Sequence, residues 1–358
     1  MEGNGAYNLA ALCQRGVADA TKDLLDDAIQ RFVKASHAPP QRLTILDLGA
    51  SQGLNSLALV TYLLQSLDAS LPSSPPHVLV LHEDQPANDF ATLLTTLNSP
   101  ASYIHTRPGT FTGVIAKSFY DPVVPPASIE IAVSYIAVQW LASVPTPLPG
   151  SIICVNHHQR KHLVPSDVMR KWQTAAHDDF IAFLRLRATE LADDGLLCLT
   201  HTANFDDEDE DQPMWAWANQ AILALDDVVA TGLMSPASLN RIAVGIYFRT
   251  TAESREACTS VADVLRLDAH RRIEMTYPFP HGAAAAMFVM AIFKPSFEAG
   301  MTEAERINPD VARGLLDAMA TRLSQPDKSG EPFYRCITVP YVFAAFTRLR
   351  RKNPTSGL

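Results

Sequence analysis

The chain of 358 residues has little charge and few of the features that mark several common protein classes. Charged side chains make up 19% of it, and 38 acidic against 29 basic residues leave a formal charge of −9. Without a Lys/Arg stripe, nucleic acid and anionic membrane are poor partners, so neither is expected. Cysteine is scarce: the five (Cys13, Cys154, Cys198, Cys258, Cys336) are an odd number, widely spread, with no C-x-x-C pair. That pattern fits reduced thiols rather than a disulfide framework or a zinc site, and no metal is expected. The N-terminal stretch lacks a basic segment followed by an apolar run. The apolar run Gly282 to Phe293 is too short for a bilayer core of about 30 Å. A soluble, cytoplasmic protein is the expectation.

What is present is apolar material: 47% hydrophobic residues can bury a large core, which excludes a disordered scaffold. Leu9, Leu12, Val17, Leu24, Leu25 and Ile29 recur at helical spacing, so residues 1–35 read as an N-terminal helical segment. The runs 43–48 (LTILDL), 77–82 (HVLVLH), 129–134 (IEIAVS) and 196–200 (LLCLT) read as buried parallel strands. Helical patterns at 55–67 and 178–192 alternate with them, which predicts an open, doubly wound sheet over 36–204. Residues 205–333 read as a mainly helical cap, with long patterns at 214–233 and 310–323 and a modest strand candidate at 272–276. A further candidate at 341–346 predicts that 334–358 return to the sheet as a final edge strand and tail. The whole of 1–358 is then one unit, with the N-terminal segment closing a site on it.

The sharpest local feature is the turn Asp47-Leu48-Gly49-Ala50-Ser51-Gln52-Gly53-Leu54-Asn55 after the first strand. It lacks the third glycine of G-x-G-x-x-G, which disfavours a nicotinamide dinucleotide. A carboxylate at a strand end beside glycines is what S-adenosylmethionine needs for its ammonium and amino-acid tail. A turn that merely closes a strand-to-helix connection is the plain alternative. Asp84 ends the second strand, where an acid can accept hydrogen bonds from both ribose hydroxyls, although an ordinary loop acid fits the same place.

The order of these and further motifs resembles the SABATH methyltransferases, which move a methyl group from S-adenosylmethionine to carboxylates or ring nitrogens of small metabolites. Asp47 to Asn55 is similar to the family's D-L-G-C-S-S-G-x-N, and Asp84-Gln85-Pro86-Ala87-Asn88-Asp89-Phe90 to D-L-P-x-N-D-F. Ser118-Phe119-Tyr120 resembles S-F-Y, Trp140-Leu141 its W-L-S, and Phe180 to Gly195 its D-F-x-x-F-L-x-x-R-x-x-E-L-x-x-G-G helix. Tyr7 and Gln14 match an N-terminal Tyr/Gln pattern. Pro108-Gly109-Thr110-Phe111 imitates the start of the S-F-Y motif, but the spacing from Ser118 to Ser128 and Trp140 keeps the family step. Tyr247-Phe248 with Glu253 is similar to Y-x-P-S-x-E-E, with Arg249 in place of the proline.

The resemblance implies a Rossmann-like α/β sheet with a helical cap and S-adenosyl-L-methionine as cofactor. It implies cofactor contacts from Tyr7, Asp47, Gly49, Asn55, Asp84, Gln85, Ser118 and Phe119. Gln14 and Trp140 would position a small carboxylic acid, with Gln139 and Trp217 also at the substrate, and a homodimer is usual in the family. Trp215 and Phe288 are further candidates for the pocket or simply for the core. The acceptor type stays open, because the family's Tyr four residues before the tryptophan is Ile136 here. Carboxyl O-methylation leads, with N-methylation of a heterocycle or a non-catalytic cofactor binder as alternatives. The His-rich stretch 156–162 reads as a solvated loop or a lid, and the acidic run 206–211 as a solvated loop.

Overall fold

The computed structural model describes residues 12–35, 41–71, 75–148, 151–154, 164–205 and 215–351. Tyr7, the stretch 156–162 and the run 206–211 lie outside the described residues, and of Gln14 only the backbone lies within them.

Helices α1 (Leu12–Ala20) and α2 (Lys22–Ala35) open the chain, and α2 buries Leu25, Ala28, Ile29 and Phe32 along one stripe. There follow β1 (Arg42–Leu48), α3 (Leu54–Ser70), β2 (His77–Asp84), α4 (Phe90–Leu97), the single turn α5 (Tyr103–Thr106), β3 (Thr110–Ala116) and β4 (Ile129–Tyr135). A two-residue β5 (Ile153–Cys154), the long α6 (Ser166–Glu190) and β6 (Leu191–Asn204) complete the first half. The second half holds α7 (Ala216–Ala230), α8 (Pro236–Arg241), β7 (Val244–Tyr247), β8 (Arg249–Thr250), α9 (Thr251–Thr259) and β9 (Leu265–Tyr277). It ends with α10 (Gly282–Gly300), α11 (Glu303–Ile307), α12 (Pro309–Leu323) and β10 (Ile337–Arg348).

The main sheet runs β3-β2-β1-β4-β6-β10-β9. The first five strands are parallel, and β10 is antiparallel to both of its neighbours. The order reverses between β1 and β4, so their C-terminal ends open a crevice where ligands bind in doubly wound folds. Two expectations need correction. The final strand is not at the edge: β10 (ITVPYVFAAFTR) is buried along nearly its whole length because β9 covers it. The segment 205–333 is not cap alone either, since it contributes the 13-residue edge strand β9. Its charges at Arg266, Asp268, Arg271, Arg272 and Glu274 are compatible with an edge that faces water.

The cap itself is α7, α10 and α12 packed as a layer, with Trp217, Leu225, Phe288, Val289, Met319 and Leu323 in one apolar cluster. Gly282 lets α10 approach α12, since a Cβ there would lie 2.4 Å from the Ala320 carbonyl oxygen. No helix among the described residues is long and apolar enough to cross a membrane.

Two buried histidines, on β6 and β9, share one hydroxyl of α9. His201 Nδ1 lies 2.8 Å from the Thr202 carbonyl, so it carries the proton and Nε2 accepts from Ser254 Oγ at 2.9 Å. Ser254 Oγ in turn accepts from His270 Nε2 at 3.1 Å. Burial, aided by the Arg249 charge, pushes the His201 imidazole down to about 3. Burial and Arg255 take His270 to about 4. Both rings are neutral when folded and ordinary when unfolded, so their stabilisation is complete above about pH 6.5 and is lost as pH falls toward 4. Glu83 runs the other way: burial and then the neighbouring Asp84 push it up to about 9, so stability falls as pH rises from about 4.5 toward 9. Thermal melts from pH 4 to 9 should therefore peak in mildly acidic solution. Glu83→Gln should flatten the alkaline limb and gain roughly 2 to 4 kcal/mol at pH 8; an unchanged limb would refute the assignment.

Candidate active site

The turn after β1 is built by its glycines. Gly49 has φ +84, and a Cβ on it would lie 2.6 Å from Ala137 Cβ, so this turn and the segment after β4 meet across the crevice. Gly49 N and Ala50 N both donate to the Glu83 carbonyl at 2.9 Å, tying the turn to the end of β2. Asp47 is 3% exposed and accepts from Ser56 Oγ and, at 3.0 Å, from His82 Nδ1. His82 Nε2 lies 2.6 Å from the Tyr103 hydroxyl. The register places Asp47 beside His82 on adjacent strands, so this carboxylate fastens the turn to β2 and α3.

Asp84 is 8% exposed at the end of β2. Its Oδ2 accepts from Ser51 N at 2.6 Å and its Oδ1 from Gln85 N at 2.7 Å. Burial raises the carboxyl above the usual range, and those two N–H bonds oppose the rise. Two backbone bonds leave about half of a carboxylate's acceptor sites for a ligand. Asn88 Nδ2 donates to the Ser51 carbonyl at 2.7 Å and closes the two turns on each other.

The segment carrying Ser118 and Phe119 is held from below by Arg187 of α6, which is fully buried. Its guanidinium donates to the Phe119 carbonyl at 2.9 Å and to the Asp121 carbonyl at 3.2 Å, and pairs with Glu190 at 2.7 Å. Phe119 is thereby fixed on the crevice wall, while Ser118 Oγ accepts from Tyr120 N at 3.2 Å.

The segment after β4 is fastened at nearly every residue. Ile136, a β-branched residue at φ +55, is a true strain point. Its N–H donates to the Thr200 carbonyl at 2.8 Å and its carbonyl accepts from Gln139 Nε2 at 2.7 Å. Arg249 Nη1 donates to the Val138 carbonyl at 2.8 Å, and the Tyr120 hydroxyl donates to the Trp140 carbonyl at 2.6 Å. Tyr247 N donates to the Gln139 carbonyl at 3.0 Å, and Leu141 N to the Gly245 carbonyl at 2.8 Å, so β7 of the second half straps Trp140 in place.

These elements enclose a cavity of about 260 Å³. Its wall takes Gly49, Asp84, Gln85, Asn88 and Phe119 from the turns after β1, β2 and β3, and Tyr135, Ile136, Gln139 and Trp140 from the end of β4 and the segment after it. The second half adds a mostly aromatic surface, Trp215, Trp217, Phe248, Phe288, Phe293 and Val339, with Ser296 and Tyr341 as polar points, and β6 adds Thr202. Among the residues singled out from sequence, Gly49, Asp84, Gln85, Phe119, Gln139, Trp140 and Trp217 are on this wall. Asp47, Asn55 and Ser118 are not, and the Tyr7 and Gln14 side chains lie outside the described residues. Sequence reasoning missed Tyr135, Thr202, Phe248, Phe293 and Tyr341. Phe248 sat within a motif; Tyr341 and Phe293 read as strand start and apolar run, and Tyr135 and Thr202 fell just past the strands read at 129–134 and 196–200.

The wall fits a nucleoside bearing an amino-acid tail: a buried carboxylate with spare acceptor capacity, a turn stripped of side chains, and an aromatic face. No Lys, Arg or His side chain is among the described residues that form it.

Residues 1–305 match the family described as SAM dependent carboxyl methyltransferase. The chain belongs to this family, the SABATH methyltransferases. S-adenosylmethionine is accordingly its cofactor. The chain is 32% identical over 216 residues, 59% of its length and 53% of the relative's, to O-methyltransferase acrG of Aspergillus aculeatus. It is 25% identical over 272 residues, 71% of each, to 3,7-dimethylxanthine N-methyltransferase CkTbS of Camellia sinensis var. assamica. It spans about half to two thirds of the length of the first curated relatives it matches. The solved structure of loganic acid methyltransferase with SAH shares the fold at a TM-score of 0.79, with 18% identity and 98% of each chain covered. In this SABATH chain, then, the described sheet and cap share the fold of that structure.

Proposed function

We propose that this methyltransferase forms the methyl ester of a small-molecule carboxylic acid. One observation carries the reading: of the four tryptophans, only Trp140 keeps its indole N–H free of any acceptor among the described residues. Trp172 donates to the Thr146 carbonyl, Trp215 to the Ala203 carbonyl and Trp217 to the Thr338 carbonyl, each at 3.1 Å. Trp140 lines the cavity beside Phe293, and we assign its donor to one oxygen of the acid.

The acid is ionised at neutral pH, with a pKa near 4, and needs no general base. The cofactor supplies an electrophilic methyl group; the protein's task is to hold the carboxylate in line with it and exclude water. A neutral indole donor suits that task, because a lysine or arginine would stabilise the ground-state charge that methylation removes. Asp84 and Gln85 are assigned to the ribose, the Gly49 turn and Asp47 region to the methionine end, and Ser118 and Phe119 to the adenine. Gln14 and Tyr7, assigned by the family resemblance, belong to the same proposal, as do cytoplasmic localisation and a homodimer.

The test is incubation with labelled cofactor and a panel of free acids and heterocycles. An alkali-labile label on an acid supports ester formation, and a stable label on a ring nitrogen overturns it. For the cofactor end, Asp84→Ala is expected to remove the stabilisation by S-adenosylhomocysteine, which is about 2.7 kcal/mol at a hundred times Kd in the parent protein. A variant that still shows the full thermal shift would exclude Asp84 from the ribose.

A further inference from the structure

Three carboxyls, Asp47, Glu83 and Asp84, converge on the turn after β1, and their hydrogen bonds rank them. Asp84 accepts from two backbone N–H groups at 2.6 and 2.7 Å, and Asp47 accepts from Ser56 and His82. Glu83 is fully buried and far worse served. Its Oε2 lies 3.3 Å from Gly49 N, which already donates to the Glu83 carbonyl at 2.9 Å, and its Oε1 is buried with no hydrogen-bond partner. A carboxyl so poorly solvated is held as the neutral acid.

The charges around it act in the same direction. Burial first, then Asp84 of its own strand and more weakly Asp47 of β1, push Glu83 up to about 9, against Arg187 of α6. That guanidinium is already paired with Glu190 at 2.7 Å, His82 is turned to Asp47, and the register neighbour on β3 is Ile115. Glu83 is not on the cavity wall, but Gly49 is, so the carboxyl stands one amide behind the surface that meets the cofactor. S-adenosylmethionine carries a sulfonium cation that S-adenosylhomocysteine lacks. A cation held near a buried carboxyl favours its ionised form.

We propose that Glu83 is a positioning residue that senses the cofactor's charge: neutral before the cofactor binds, it releases its proton to solvent on binding and regains it once methyl transfer leaves an uncharged thioether. The sulfur keeps the bonding electron pair as the methyl group leaves, so the cation that favoured the carboxylate is gone and solvent returns the proton. Cofactor is thereby held in preference to product by a group that touches neither. The inference needs the cofactor alone, whichever acceptor is methylated.

The experiment is isothermal titration at about pH 8 in buffers of different ionisation heat, which counts the protons released per ligand bound. On binding S-adenosylmethionine the parent protein should release at least about 0.3 proton more than Glu83→Gln, and on binding S-adenosylhomocysteine an excess at most about half as large. Comparing the two proteins with one ligand cancels the titration of the ligand's own amine. Relative to Glu83→Gln, the parent's affinity for S-adenosylmethionine should also rise at least about threefold between about pH 7 and 9. Infrared difference spectra of the parent need no variant: S-adenosylmethionine should remove the band of a protonated carboxyl, and S-adenosylhomocysteine should leave most of it. Equal proton release by the two proteins, an excess that is the same with either ligand, or a carboxyl band that survives S-adenosylmethionine would overturn the proposal.

Discussion

Arg249→Met is expected to destabilise the protein by about 1 to 3 kcal/mol and to depress turnover more than cofactor binding. The guanidinium is 1% exposed, lies 4.7 Å from the centre of the Phe180 ring, and has no carboxylate in direct contact. Its donors go to backbone: Nε and Nη2 to the Ala176 carbonyl at 3.1 and 2.6 Å, and Nη1 to the Val138 carbonyl at 2.8 Å. A buried ion pair can sometimes be replaced by apolar residues at no cost because both charges leave together. Here the acceptors are main-chain carbonyls that no substitution removes: the Ala176 carbonyl keeps its place in the ladder of α6, and methionine takes from the Val138 carbonyl its Arg249 donor. Lysine, with one compact ammonium, cannot span Ala176 and Val138 and should recover only part of the loss. Urea titration measures the stability, and isothermal titration with S-adenosylhomocysteine together with turnover measures the rest. The Val138 carbonyl precedes Gln139 and Trp140, whereas the Asp84 end is held by other bonds. A variant of parental stability, or one that loses cofactor affinity and turnover equally, would show that Arg249 does not act through this segment.

Arg249 also shows where sequence reading stops. In the chain it is only the residue that replaces a proline of a weak motif; in space it joins α6, β8 and the segment after β4. The strands β1, β2, β4 and β6 were legible because central parallel strands are buried on both faces and read as apolar runs. The strand β3 was not. Thr110 to Ala116 (TFTGVIA) lies on an edge, half exposed, with Phe111 at 61% exposure, and its start imitates the motif that truly begins at Ser118. The long edge strand β9 showed only its 272–276 portion for the same reason, and the more apolar β10 was therefore given the edge that β9 occupies. At the site, the turn residues were legible because strand end, glycine and acid are close in sequence. Thr202, Phe293 and Tyr341 were not, since what gathers them is the packing of α10 and β10 against β6. Asp47 was legible as an acid at a strand end, but its buried partners, Ser56 and His82, come from two other elements.

Trp140→Phe should lower kcat/KM for the acid by about 10- to 100-fold, the cost of one hydrogen bond to a charged group, and leave the affinity for S-adenosylhomocysteine unchanged. Phenylalanine keeps the aromatic wall against Phe293, whose ring centre lies 6.4 Å from that of Trp140, so the change isolates the N–H. Trp217→Phe is the matched control. It orphans the Thr338 carbonyl, now bonded at 3.1 Å, and should appear as about 1 to 3 kcal/mol of lost stability. The two substitutions thus separate a donor that serves the ligand from one that serves the fold. The rate in the parent protein should be level above about pH 6, because the acceptor is already ionised, and should fall below it as the acid protonates. An acceptor nitrogen that had to lose a proton would give a rate that climbs with pH, and Trp140→Phe would then leave it nearly untouched. Turnover of the two variants across that pH range decides between these chemistries, and a Trp140→Phe enzyme with parental kcat/KM on its acid would remove the residue that the proposed function depends on most.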